Sequence, residues 1–139
     1  MENLDEYEFN YELITNNILV KVRPIWIEEN TIPEENIYFW AYIVKIINLG
    51  SLDIKLMKRY WCITNSEGKK TEVRGDGVIG EQPNILAGES YKYCSGTSLD
   101  TPSGFMQGKY FIDNKNKNNI EIIIPSFSLD SPYQKVSMN

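Results

Sequence analysis

The stretch Val73–Ser90, "VRGDGVIGEQPNILAGES", decides between two classes of fold. It contains Gly75-x-Gly77-x-x-Gly80, the spacing of the loop that binds the pyrophosphate of a dinucleotide. Such a loop must leave a strand and open a helix whose N-terminus faces the pyrophosphate. Pro83 follows shortly after, and the residues beyond it carry a turn and no helical periodicity. The stretch is therefore predicted to be a loop between strands, in which glycine allows positive φ or close backbone approach.

A glycine loop can bind an anion without a helix, because successive backbone N–H groups can form a concave nest. Arg74, Lys92 and Lys109 are the cations that could reach such a nest. A binder of a small phosphate ligand, such as a nucleotide or pyrophosphate, is thus the alternative function for the loop Gly75–Gly80.

Short runs of aromatic and β-branched residues surround this loop and are separated by turn residues, which predicts about seven strands. The predicted strands lie in segments 17–29, 38–50, 54–64, 69–75, 90–99, 106–114 and 120–127. The first is expected to break or bulge at Pro24. Regularly spaced short strands indicate an all-β, immunoglobulin-like antiparallel β-sandwich. We expect one domain over 1–139, with a core over about 12–129 and loosely ordered flanks at 1–11 and 131–139.

The overall charge argues against several classes of partner. The net charge is -5, which disfavours nucleic acid and anionic membrane surfaces. No apolar run approaches the ~18 residues of a membrane span, and the acidic N-terminus does not resemble a signal peptide. A cytoplasmic location is expected, where Cys62 and Cys94 would be free thiols, with a disulfide between them as the alternative.

The chain contains no histidine, which excludes histidine-dependent triads and the commonest transition-metal ligand. Cys62 and Cys94 could ligate a metal only if their strands are adjacent. No nucleophile–base pair is evident in the sequence. We therefore expect no enzymatic activity, no cofactor and no metal site.

An ordered series of motifs runs from about Ile18 to Leu129. It comprises Arg59-Tyr60-Trp61 with Ile63-Thr64; Val73, Gly75-x-Gly77-Val78-x-Gly80 and Gln82-Pro83; Gly88-Glu89; Tyr93-x-Ser95-Gly96; Thr101-Pro102-x-Gly104-x-Met106-x-Gly108-x-Tyr110; and Ile124-Pro125-x-Phe127. Taken together, these motifs resemble the ApaG family.

The resemblance implies a fibronectin type III-like sandwich without established catalytic chemistry. Bacterial members are usually small cytosolic proteins associated with cobalt resistance and magnesium efflux. Similar domains in eukaryotes are joined to F-box proteins and to a polymerase-delta-interacting protein, where they look like interaction modules. The implied function is a non-enzymatic interaction module associated with divalent-cation homeostasis, whose protein partner the sequence does not identify. Lys109 stands where the family often has histidine, so a role for that histidine does not carry over.

Within the motifs, Trp61 is expected to be a core anchor between the sheets. For Arg59 and Tyr60, a structural role and a ligand-binding role both remain open. Thr101-Pro102 is interpreted as a strand-entry turn that could form one lobe with the glycine loop. The candidate ligand- or partner-binding residues are Arg59, Tyr60, Arg74, Gly75, Gly77, Gly80, Thr101 and Pro102.

The strand "YFWAYIVKII" has two apolar faces, although an antiparallel strand needs only one. The face of Tyr38, Trp40 and Tyr42 is assigned to the core. The opposite face then presents an interface of Phe39, Ile43 and Ile47, and predicts a homodimer. The alternative is that the N-terminal segment, a loop or apolar neighbours cover this face.

Overall fold

The structure is a computed structural model that describes residues 8–134. Within this range it contains nine strands. These are β1 (Tyr11–Thr15), β2 (Ile18–Trp26), β3 (Tyr38–Asn48), β4 (Ile54–Asn65), β5 (Lys70–Asp76), β6 (Asn84–Ile85), β7 (Ser90–Leu99), β8 (Gly104–Asn114) and β9 (Lys117–Leu129). Two short 3-10 turns, Glu28–Asn30 and Pro33–Glu35, lie between β2 and β3.

The strands form two antiparallel sheets. The first sheet has the order β1-β2-β3-β7, and the second has the order β5-β4-β8-β9, with β6 also pairing with β4. β1 packs against β9, which closes one side of the sandwich. The free edges of β5 and β7 therefore lie on the other side, which we call the open side. The predicted all-β antiparallel sandwich is confirmed.

The core lies between the sheets and follows the predicted alternation of β3. Trp40 and Tyr42 are buried on the inner face, together with Val44 and Ile46. Trp61 is 3% exposed, and its ring makes edge contacts with aromatic rings from both sheets. Its predicted place in the core is thus confirmed.

β2 runs through Pro24 without interruption, so the expected break or bulge there is wrong. Pro24 lies opposite Tyr42 in a regular register. The N–H of Ile27 donates to the oxygen of Phe39, so by alternation Pro24 points its nitrogen away from β3. β1 pairs with β2 only as far as Val22, and the missing N–H of Pro24 therefore costs no strand-pairing bond.

The structure departs from the predicted loose order at the end of each flank that is nearer the core. β1, which begins at Tyr11, was not predicted. Its adjacent apolar residues Leu13 and Ile14 are both exposed, so the strand lacks a clear alternation of apolar buried and polar exposed positions. Ser131 is buried and donates its hydroxyl to the oxygen of Pro102, and the Tyr133 hydroxyl donates to Glu28. The expectation of loose order for 1–7 and 135–139 lies outside the described residues. Residues 8–134 contain no helix long and apolar enough to span a bilayer.

Candidate functional site

The glycine stretch leaves β5 and closes at once into a tight hairpin turn. The N–H of Val78 donates to the oxygen of Glu81 over 2.8 Å, and the N–H of Glu81 donates back over 2.9 Å. The two residues between them, Ile79 and Gly80, have φ values of 42° and 80°. Positive φ at both central residues is the geometry of a type I′ turn. No helix follows, so the stretch lacks the N-terminus that a dinucleotide requires.

The anion nest expected in this loop is largely occupied by the protein itself. The N–H of Gly77 donates to the oxygen of Met57 over 2.8 Å, and that of Val78 is held by Glu81. Gly77 has a φ of 59°, and a Cβ at this position would overlap the backbone oxygen of Glu81. Gly77 is therefore needed for the turn, and its amide is not offered to a ligand.

Arg59 is the cation that contacts the start of the loop. Its Nη1 donates to the oxygens of Asp76 at 3.0 Å and Gly77 at 3.1 Å. The guanidinium lies over Gly75, where a Cβ would come within 2.7 Å of Nη1. Because Gly75 has no side chain, there is room for the guanidinium of Arg59. Both oxygens that the guanidinium contacts belong to neutral carbonyls.

A cavity of about 190 Å³ opens beside Arg59 on the open side of the sandwich. We call it the Arg59 cavity. β4 contributes Arg59 and Trp61, β3 contributes Tyr42, and β7 contributes Tyr93 and Ser95. The hairpin turn adds Val78, Ile79 and Gly80. Ile79 is 56% exposed at the rim.

The charges around the cavity favour an anionic group. Burial raises the pKa of Tyr42, Tyr93 and Tyr110, while the Arg59 guanidinium partly opposes that rise. The Tyr93 and Tyr110 hydroxyls hydrogen-bond to each other. The tyrosines are therefore neutral near pH 7, and the arginine keeps its positive charge. Across residues 8–134, no carboxylate forms an ion pair with Arg59.

Tyr60 and Arg74 lie on the outer face of the second sheet, because neighbouring residues of a strand point to opposite faces. The Arg74 guanidinium is 4.5 Å from the centre of the Tyr60 ring and 3.5 Å from the Glu72 carboxylate. Lys109 is 5.9 Å from the same ring and pairs with Glu121.

An open groove of about 530 Å³ joins part of this outer face to the loop. Its lining includes Arg59, Arg74 and Gly75. These three predicted residues are therefore brought together. Lys92 is not, since it lies opposite Lys45 in the first sheet.

Thr101 and Pro102 do not form a lobe with the glycine loop, so that expectation is wrong. The Thr101 hydroxyl accepts the N–H of Ser66 and donates to the oxygen of Ser103. Ser66 belongs to the turn between β4 and β5, whereas the glycine loop follows the far end of β5. The two predicted segments thus lie at opposite ends of the sandwich.

The predicted interface residues occupy the outer face of β3, but they differ in exposure. Ile43 is 2% exposed, with Arg23 and Cys94 as its cross-strand neighbours. The expectation that Ile43 belongs to an exposed patch is therefore wrong, because adjacent strands cover it. Phe39 and Ile47 are half-buried.

The cysteines are free thiols in different sheets, with Cys62 buried on β4 and Cys94 exposed on β7. The described chain contains no group of three or more cysteine, aspartate or glutamate side chains placed to hold a metal ion.

Sequence reasoning missed Tyr42, Tyr93 and Ser95 as cavity residues. The Tyr93-x-Ser95 motif was the available signal, but only the sheet order places it opposite Arg59.

A family model described as the ApaG domain matches residues 28–114. The chain is 43% identical over 129 residues to Protein ApaG of Paramagnetospirillum magneticum, covering 93% of this chain and 99% of that protein. It is 46% identical over 122 residues to Protein ApaG of Agrobacterium fabrum, covering 88% and 94%. The solved ApaA protein from Bordetella pertussis superposes with a TM-score of 0.79 at 38% identity, covering 84% and 95%.

Proposed function

The chain belongs to the ApaG family, and on that premise we propose that it is a non-enzymatic interaction module that binds an anionic group of a protein partner in the Arg59 cavity. The proposal rests on the guanidinium of Arg59, which lies at a cavity on the open side. Within residues 8–134, its only hydrogen-bond partners are backbone carbonyls. Carbonyls satisfy donors but do not neutralise charge, so the cavity retains its attraction for a carboxylate or phosphate.

The chemistry of the cavity favours recognition over catalysis. Its tyrosine hydroxyls have raised pKa values and remain protonated, so they can orient a ligand but are poor general bases near pH 7. A guanidinium stays protonated in this range and so does not act as a general base either. The cavity therefore suits binding without proton transfer.

The wider role is carried by the family resemblance. We propose a cytoplasmic protein associated with cobalt and magnesium homeostasis through a protein partner. In this proposal the cation acts through that partner, since the described carboxylates and thiols do not converge on one site. A homodimer remains a further prediction.

The test compares immobilised wild-type protein with Arg59→Gln in quantitative affinity capture from the native cytosol. Each captured protein is then purified, and its Kd is measured against both forms. Loss of one ion pair predicts binding at least about tenfold weaker for Arg59→Gln. Arg74→Gln, on the outer face, is the matched control and should bind normally. Equal affinity of all three forms would exclude the cavity as the binding site.

A phosphate ligand is the second candidate function. It is favoured by the open groove, whose lining includes Arg59, Arg74 and Gly75 beside the carboxylates of Asp76 and Glu121. An amide-shift titration with ATP, pyrophosphate, Mg²⁺ and Co²⁺ tests it. Pyrophosphate-induced shifts at Gly75 and Arg74 that disappear in Arg74→Ala would support it. An unchanged spectrum with ATP and pyrophosphate would reject it, and shifts with Mg²⁺ or Co²⁺ would indicate direct cation binding.

A further inference from the structure

Apart from the two-residue strand β6, the sheets have four outer strands, and each of their edges presents backbone N–H and C=O groups that can pair with another chain. The edge of β9 is covered by side chains from the β1 region. The Thr15 hydroxyl accepts the N–H of Ile123, the Asn16 amide donates to the oxygen of Glu121, and the Tyr11 hydroxyl accepts the N–H of Ser128. β1 and β9 thus cover each other on the closed side.

The edge of β5 carries alternating charges. The N–H of Asn65 donates to the oxygen of Lys69, so the odd-numbered residues of β5 bond to β4. The outward backbone groups therefore belong to Lys70, Glu72, Arg74 and Asp76. Charged residues along an edge are the usual protection against an added strand.

The edge of β7 lacks both kinds of protection between Cys94 and Ser98. The N–H of Asn48 donates to the oxygen of Glu89, so the odd-numbered residues of β7 bond to β3. Cys94, Gly96 and Ser98 direct their backbone groups toward the open side. None is charged, none is proline, and the register with β3 has no bulge. No strand within residues 8–134 pairs with this edge.

We propose that the protein partner binds as an extended peptide segment, which adds a strand to the edge of β7 and places an acidic side chain in the Arg59 cavity. This inference rests on the proposed function and names the form of its partner. Main-chain bonds to an open edge supply affinity in such complexes, and pockets for alternate side chains supply specificity.

Two cavities lie along this edge at the right spacing. The Arg59 cavity includes Ser95, and a second cavity of about 140 Å³ includes Leu99 with Ile63 and Thr71. Ser95 and Leu99 are both odd-numbered and face inward, and four residues of strand span about 13 Å. An added strand with side chains at i and i+4 on its inner face can therefore reach both. The Arg59 guanidinium selects a carboxylate at one position. The second cavity, which is also lined by Asn65, Lys69 and Asp100, accepts a small polar side chain at the other.

The test uses a phage-displayed library of linear peptides about ten residues long, selected on the full chain. Enriched peptides should share an Asp or Glu four residues from a small polar residue such as Ser or Thr. Binding of a selected peptide should slow amide hydrogen exchange at Cys94, Gly96 and Ser98 in the wild-type protein.

Ser98→Pro removes one outward N–H from the edge and should weaken the peptide about tenfold. Glu72→Pro removes an outward N–H from the β5 edge and is the matched control, with affinity expected within about twofold of wild type. A thermal melt of each variant confirms that it is folded. The exchange experiment needs no variant, so it decides the matter even if Ser98→Pro fails to fold.

The same experiments separate failure of strand addition at β7 from failure of anion binding in the Arg59 cavity. Peptides that bind and are lost in Arg59→Gln, but leave exchange at Gly96 and Ser98 unchanged, would overturn strand addition and preserve the anionic site. Peptides unaffected by Arg59→Gln would overturn the acidic contact. A library that yields no enriched peptide would overturn binding by a linear segment, whereas the capture experiment would still decide the proposed function.

Discussion

Three alanine substitutions in the glycine motif should have graded effects, because the three glycines are required for different reasons. Gly80 has a φ of 80° and open space where a Cβ would lie. Alanine there should cost about 1–2 kcal/mol, the penalty of a left-handed conformation. At Gly77 a Cβ would also displace the Glu81 carbonyl, which accepts the N–H of Val78, and with it the bond that the Glu81 N–H donates back to Val78. Steric displacement and two lost hydrogen bonds raise the expected cost to about 3–5 kcal/mol.

Gly75→Ala should behave differently from both. The three atoms nearest to its Cβ would all belong to the guanidinium of Arg59, which is the end of a flexible side chain. We expect a loss of stability below about 1 kcal/mol, because the arginine can move away. Partner binding should nevertheless fall as it does in Arg59→Gln, since the guanidinium no longer holds its place beside the cavity.

Urea denaturation followed by tryptophan fluorescence measures the series. With a slope of about 2 kcal/mol per M, the midpoint should fall by roughly 1.5–2.5 M for Gly77→Ala and by less than about 1 M for Gly80→Ala. Equal losses for Gly77→Ala and Gly80→Ala would refute the account of the turn. A stable Gly77→Ala protein that has lost only pyrophosphate binding would restore the view of this motif as a phosphate loop.

Three further predictions follow from burial and charge. Trp61→Ala should cost about 3–5 kcal/mol through a cavity between the sheets, and a thermal melt within a few degrees of wild type would contradict this. Ile43→Glu should prevent stable folding, because it buries a charge among the side chains of neighbouring strands, whereas Ile47→Glu should fold and weaken a micromolar homodimer. Sedimentation of the wild type as a monomer at high concentration would end the dimer prediction. Desolvation and the hydrogen bond to Glu81 raise the pKa of Tyr91 to about 12, so the folded state binds this proton more tightly than the unfolded state. The stability that Tyr91 contributes is present below pH ~10 and should be lost as the pH rises toward 12. A tyrosinate absorbance titration against Tyr91→Phe measures the raised pKa from which this loss follows.

The sequence predicted the sandwich well because most of its strands are long and alternate clearly. It assigned the faces of β3 correctly, since Trp40 and Tyr42 are the bulkier set. It could not predict what covers Ile43, because Arg23 and Cys94 become neighbours of that residue only through the sheet order. Thr101 was misplaced for the same reason, since a loop between strands can lie at either end of the sandwich.

The orientation of Arg59 depends on a bulge that the prediction did not include. Ile54 and Leu56 face the core, and uninterrupted alternation would then place Arg59 on the outer face. The pairing of β4 with β8 shifts between Leu56 and Lys58, so Arg59 and Trp61 point inward instead. The odd spacing between Leu56 and Trp61, both apolar, was the signal for this shift.

The bulge, the turn and the open edge together account for a cation at this place in the fold. The bulge directs Arg59 inward, Gly75 leaves room for its guanidinium, and the turn offers two carbonyls. If the only task were to hold the loop, neutral donors such as those of an asparagine or glutamine side chain would serve without the cost of partly desolvating a charge. Features that break a local rule without a gain in stability concentrate at functional sites. Under the proposed function, the positive charge serves an anionic ligand rather than the loop, and the unprotected edge of β7 beside it would supply the backbone groups to which that ligand binds.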